Sequence, residues 1–272
     1  MIIRKRPHRF SSGAENQIGV LLCRGAVGIV LMAALIPAIV SAAECPARFE
    51  PSIPPPASIE TRENPIAQGS NIDTYKRQLT KYHDDGGYMK DIAAVMKDAT
   101  NHVLGRAREV GWPAVVLDID ETSLSNWDNI KADDYGFIEG GACPLQAKMA
   151  CGFNDWIDKA MAPAIGPTLD FFNAVRAENV AVFFITGRRD GQRQATLWNL
   201  DRAGFKSWAR VATRPDEQHG SLVPFKSGER NKIVAERYTV LANIGDQDSD
   251  LDPKDTSYGC PFKLPNPFYF IP

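Results

Sequence analysis

The chain has 272 residues and a mass of 30.0 kDa, enough for one large domain or two small ones around a sizeable core. Hydrophobic residues make up 44% and charged residues 24%, and the 21 Gly and 19 Pro follow no collagen-like period, which excludes a disordered or fibrous protein. The formal net charge is -2, but Arg4, Lys5, Arg6, Arg9 and Arg24 face Glu15 alone in residues 1–43, so the chain beyond them is distinctly acidic. With no basic run beyond Arg188-Arg189, it is not built to bind a nucleic acid polymer or an anionic membrane.

Residues 1–43 have the three-part pattern of a secretory signal peptide: basic Arg4-Lys5-Arg6, an apolar stretch from Gly25 to Val40, and small residues Ser41-Ala42-Ala43 before Glu44. The apolar stretch is short of the roughly 20 residues that span a bilayer. Cleavage after Ala43 is therefore expected, leaving no stable membrane anchor and a periplasmic or secreted protein. Glu44 before Cys45 argues against lipidation.

Cleavage removes Cys23 and leaves Cys45, Cys143, Cys151 and Cys260. Four cysteines in an exported chain suggest two disulfides with three possible pairings. Cys143–Cys151 with Cys45–Cys260 is preferred: the first closes a short loop, worth roughly 2.5 kcal/mol of chain entropy, and the second ties the two ends of the mature chain. The spacings match no common zinc site, and His83, His102 and His219 are scattered.

In chain order, residues 44–70 are Pro-rich and predict an extended strap. Two helices follow from Asn71. In the second, Met89, Ile92, Ala93, Met96, Ala99, Val103, Leu104 and Ala107 recur at helical spacing. Gly111-Trp112-Pro113 ends it, and Ala114 to Asp120 reads as a buried strand ending in carboxylates. Val180 to Thr186 predicts a second strand, with a helix from about Asp190 to Ala203 stopped by Gly204. Arg210 to Thr213 predicts a third strand, Ser227 to Glu236 a helix, Val240 to Asp246 a fourth strand, and Phe268 to Ile271 an edge strand. This alternation predicts an α/β fold with a parallel sheet flanked by helices, whose ligands bind at the carboxyl ends of the strands.

Asp118, Asp120, Thr186 and Asp246 fall at those ends. Two acids two residues apart on a strand share a face and repel unless a cation or a proton separates them. A second acidic group, Asp246, Asp248 and Asp250, closes the fourth strand. Hard oxygen ligands that leave room for water and phosphate suit Mg²⁺ better than zinc or a fully caged Ca²⁺.

The sequence Asp118-Ile-Asp120-Glu-Thr122, followed in order by Ile185-Thr186-Gly187-Arg188, Lys226 and Gly245-Asp246-x-x-x-Asp250, resembles the four motifs of the haloacid dehalogenase superfamily. More narrowly, residues 118–126, 225–230, 243–247 and Lys263-Leu-Pro-Asn-Pro267 resemble its secreted acid phosphatases, a group that includes plant vegetative storage proteins and bacterial class C enzymes. Asp248 departs from the Trp usual in plant-type members and adds negative charge. The resemblance implies a Rossmann-like fold over 71–272, with a small cap formed by the N-terminal helices (about 71–110) and an insertion (123–165).

It also implies a secreted Mg²⁺-dependent acid phosphatase acting on small phosphate monoesters, with 5′-nucleotides among them; the alternative is a non-catalytic storage or binding protein on the same fold. By position, Asp118 is the nucleophile and Asp120 the general acid and base. Thr186, Gly187 and Lys226 bind the phosphoryl group. Asp118, Asp246 and the backbone carbonyl of Asp120 hold the metal, and Asp250 orients its waters or Lys226. Trp127, Tyr135, Phe137 and Trp156 in the insertion offer ring faces to a nucleobase or aryl group. Glu121, Asn126 and Arg188 read equally well as supports of the site and as turn or surface residues.

Overall fold

The computed structural model describes residues 45–46, 71–140, 152–251 and 258–271. The expected signal peptide, residues 47–70 and the expected Cys143–Cys151 pair lie outside the described residues. Two long helices open the fold, α1 (Ile72–Asp84) and α2 (Gly87–Arg106), followed by strand β1 (Pro113–Leu117). Three helices, α3 (Trp127–Ala132), α4 (Phe153–Asp158) and α5 (Gly166–Ala177), lead to β2 (Ala181–Arg189). Then α6 (Arg193–Arg202), β3 (Arg210–Arg214), α7 (Val223–Ala235), β4 (Thr239–Gly245) and β5 (Cys260–Lys263) complete the order.

The five strands form one sheet in the order β3-β2-β1-β4-β5, every pair parallel. The chain builds outward from β1 through β2 to β3, then returns to place β4 on the other side of β1. That reversal leaves a crevice between the carboxyl ends of β1 and β4, where ligands bind in such sheets. Parallel strands need cover on both faces. One face buries Val115, Leu117, Val182, Phe184 and Ile244 with residues of α2, α5 and α6, and the other packs Val116, Phe183, Ile185 and Val240 against Phe225 and Ile233 of α7.

The sequence pattern explains most boundaries. Asn71 caps α1, its side chain accepting from the N–H groups of Asp73 and Thr74. The buried stripe of α2 is Tyr88, Ile92, Val95, Met96, Ala99 and Val103; Ala93, expected in it, is exposed. Gly204 ends the α6 segment at φ +101°, a left-handed conformation that favours glycine. α1 packs beside the insertion: His83 stacks on Trp127 at 3.8 Å, Thr80 meets the Tyr135 hydroxyl, and Lys131 reaches Asp84. α2 continues from that layer onto the sheet.

One expectation is corrected. The edge strand is Cys260–Lys263, and Phe268–Ile271 is irregular. Pro261 is tolerated because, among the described residues, β5 pairs on one side alone. Gly259, at φ +92°, lets the chain graze the β4 backbone on its way in, where an added Cβ would sit 2.8 Å from Ala242 N. In the later segment, side chains take the amides a strand would need: Asn266 accepts from Phe268 and Tyr269, and Gln247 accepts from Ile271. The expected Cys45–Cys260 disulfide is present with Cα atoms 5.3 Å apart, fastening Cys45 to β5.

Candidate active site

β1 stops at Leu117, so Asp118 and Asp120 sit on the loop beyond it and diverge. Ser123 and Leu124 turn back to the Ile119 carbonyl and the Ser123 hydroxyl donates to Asp118 O, with Glu121 held at φ +53° in the bend. A non-glycine residue there is strained and is kept only by a well-determined surround. Asp118 faces β4 and α7, where Lys226 Nζ donates to its Oδ1 at 2.8 Å. Asp120 faces β2, where Arg188 grips it with Nε at 3.0 Å and Nη2 at 2.7 Å.

β4 delivers Asp246, and a 3-10 turn brings back Asp250. Gly245 makes that return possible, since any Cβ there would fall inside the Asp250 side chain. Carboxylate oxygens of Asp118, Asp246 and Asp250, all buried, lie within 4.8 Å of one another. Asp250 accepts from Lys226 and from the Gln247 N–H, and Arg230 holds its backbone carbonyl. Asp246 accepts from Thr122, Gln247 and Asn266, while Lys263 donates to its carbonyl.

Burial pushes the Asp118 carboxyl well above its usual range, with the Asp250, Asp246 and Asp120 charges adding to it and Lys226 opposing. Asp246 is raised to about 6 by burial and Asp250, against its amide donors and Lys226. Burial alone would lower Lys226, but Asp118 and Asp250 outweigh it and raise it. Three buried carboxylates against one ammonium leave an excess of negative charge in a low-dielectric site, the condition a divalent cation with oxygen ligands relieves. The residues present therefore fit such an ion.

Behind Asp120 lies a second buried network. Asn126 donates to Asp120 and to Glu121, Trp156 Nε1 donates to Asn126 Oδ1, and the Tyr269 hydroxyl donates to Glu121. Burial and the Asp120 charge raise Glu121 to about 8, opposed by Tyr269 and Asn126. Glu121, Asn126 and Arg188 are thus interior supports of the site. Asn266 and Tyr269 were not singled out from the sequence; their signal was the Lys263–Pro267 motif, whose Lys263 and Asn266 both anchor Asp246 from the far end of the chain.

These groups open into a cavity of about 460 Å³ lined by Asp118, Asp120, Gly187, Lys226 and Asp246. Thr186 is buried, its Oγ1 accepting from Arg188 N at 3.1 Å. Tyr135 and Phe137 line the same cavity, and Phe137 is 73% exposed. Trp127 is not offered to a ligand: it is 8% exposed and covered by His83. Trp156 is engaged at Asn126. Asp248 is exposed on its turn and outside the carboxylate cluster.

Comparison with known proteins matches this architecture. The chain is 33% identical over 199 residues to acid phosphatase 1 of Solanum lycopersicum, covering 72% of this chain and 69% of that protein. It is 28% identical over 209 residues to vegetative storage protein 1 of Arabidopsis thaliana, covering 74% of each. The fold is similar to that of the class C acid phosphatase from Bacillus anthracis, with a TM-score of 0.54 at 21% identity over 72% of this chain and 86% of that one. The family model for HAD superfamily, subfamily IIIB (acid phosphatase) matches residues 59–272, and the chain belongs to that family.

Proposed function

We propose that this acid phosphatase hydrolyses phosphate monoesters by way of a phosphorylated Asp118, with Mg²⁺ as its cation, in the periplasm or outside the cell. The observation that carries the reading is the cluster of Asp118, Asp246 and Asp250 around Lys226, opening into the same cavity as an Asp120 held apart by Arg188. Two acids from one motif are given different surroundings, which is how a protein assigns them different work.

Asp118, Asp246 and the Asp120 carbonyl would hold the cation, which supplies positive charge against a phosphoryl dianion entering among carboxylates. Lys226, Thr186 and the Gly187 backbone bind the phosphoryl oxygens, and Asp250 orients Lys226. A carboxylate oxygen of Asp118 forms a bond to phosphorus as the ester oxygen departs, taking its proton from Asp120. Asp120 then accepts a proton from water. The new hydroxyl attacks phosphorus, the bond to Asp118 breaks, and phosphate leaves.

Tyr135, Phe137 and Phe153 at the cavity wall make aryl phosphates and 5′-nucleotides reasonable substrates. A storage role would not require an intact nucleophile paired with Lys226. The test is phosphate release from an aryl phosphate and from nucleoside monophosphates, with and without a chelator and with Mg²⁺ restored. Activity lost to the chelator and recovered with Mg²⁺ is expected. Asp246→Asn should lower activity and raise the Mg²⁺ requirement, and an unchanged metal dependence would contradict the assignment. Export is supported by the Cys45–Cys260 disulfide. It predicts a mature N-terminus at or near Glu44, which N-terminal sequencing checks.

A further inference from the structure

The carboxyl end of β2 carries two adjacent arginines with different fates. Arg188 is absorbed by Asp120. Arg189 is the register partner of Arg214 on β3, so two arginines occupy paired positions on neighbouring strands. Like charges directly opposite in a sheet repel, and both residues line the cavity that holds Asp118 and Lys226.

Among the described residues, neither arginine has a carboxylate partner. Among the described residues, Arg189 Nη1 donates to the carbonyls of Asp216 and Gln218, and Arg214 Nη2 donates to that of Gly220. Arg214 is 9% exposed, and its Nε is buried with no hydrogen-bond partner. The nearby acids are directed elsewhere: Asp190 accepts from the Thr213 hydroxyl and Asp216 from Gly191 N. Burial and the Arg189 charge both lower Arg214, with no carboxylate opposing them. A buried cation without a counter-charge is costly unless a ligand supplies one.

We infer that Arg189 and Arg214 form a subsite for a second anionic group of the substrate, so that the enzyme favours phosphate monoesters carrying a distal phosphate or carboxylate. The guanidinium forks left unfilled match either oxyanion. Strands are spaced by about 4.8 Å, so β2 and β3 lie about 5 and 10 Å from the β1 end that carries Asp118. The distal anion is placed across that range from the scissile phosphorus. The inference rests on the phosphatase reading above, and deepens it by naming a substrate class.

The experiment compares kcat/KM for three matched series of alkyl phosphates of increasing chain length, assayed with Mg²⁺: α,ω-bisphosphates, ω-carboxyalkyl phosphates and the uncharged alkyl monophosphates. The wild-type enzyme should prefer at least one of the two anion-tailed series over its uncharged match by about 10-fold or more at an optimum length. The gain should lie in KM and fade with added salt. The phosphate and carboxylate arms distinguish the two anions. In Arg214→Gln and Arg189→Gln the ratio between matched substrates should fall towards one, whatever the absolute rate. A wild-type enzyme that hydrolyses all three series without preference at any length overturns the subsite and leaves the phosphatase reading intact. An enzyme that hydrolyses none of them overturns both, and a ratio unchanged in both variants overturns the assignment to these arginines.

Discussion

The ends of β1 and β4 and the ends of β2 and β3 are the same kind of structural position, and they carry opposite charge. Asp118, Asp246 and Asp250 meet at the first pair, where hydrogen-bond donors from Lys226, Thr122, Gln247 and Asn266 reach them. Arg188, Arg189 and Arg214 stand at the second, where among the described residues only Arg188 has an acid, Asp120. Asp120 is thus the acid of motif one assigned to the cationic side, while its neighbour two residues earlier is assigned to the anionic side. The difference explains how two acids on one loop, proposed here as nucleophile and proton carrier, are kept apart: Asp118 is held by Lys226 of α7 and Asp120 by Arg188 of β2.

The largest effect should come from breaking the anionic side at its centre. Asp118→Asn keeps the side chain's volume and removes the proposed nucleophile, and turnover should fall by on the order of 10⁴ or more for every substrate. Steady-state assay with an aryl phosphate checks this, and residual activity within tenfold of wild type would contradict it. Asp120→Asn should cost about 10²–10⁴. Its cost should depend on the leaving group, because a nitrophenolate departs unaided where an alkoxide needs the proton. Burst-phase kinetics with matched aryl and alkyl phosphates measure the difference.

The link between the sides can be tested more gently. Arg188→Lys keeps the charge and loses the fork, so Asp120 is no longer fixed in one plane. We expect a kcat loss of about 10- to 100-fold, larger for alkyl than for aryl phosphates, with KM little changed. An equal loss for both leaving groups would mean that Arg188 supports the fold rather than Asp120.

Much of this plan was legible in the sequence because the anionic side is written in contiguous motifs. The apolar runs before Asp118, Thr186 and Asp246 read directly as buried parallel strands with acids at their ends, although Asp118 and Asp120, expected to share a strand face, diverge on the loop beyond Leu117. The cationic side was not legible, because Arg189 and Arg214 become neighbours only through strand register and are 25 residues apart. The last segment misled for a related reason: Phe268 to Ile271 has strand composition, but its amides are claimed by Asn266 and Gln247. Trp127 had the composition of a ligand-stacking residue, and its ring face went to His83 instead.

The smallest expected effect lies behind the site. Tyr269→Phe removes the hydroxyl that donates to the buried Glu121 and should destabilise the protein by about 1–2 kcal/mol. Urea unfolding measures it as a lower midpoint at unchanged slope. An unchanged midpoint would show that the C-terminal segment is not fastened to the site through this bond.

The central claim is that the acid on the anionic side becomes covalently phosphorylated. Rapid mixing of the Mg²⁺-loaded protein with an aryl phosphate, acid quenching within the first turnover and mapping of the phosphorylated peptide test it most directly. Phosphate on Asp118, absent from Asp118→Asn and accumulating in Asp120→Asn, is the predicted result. Phosphate on any other residue, or a burst of leaving group with no phosphoprotein, would contradict the account.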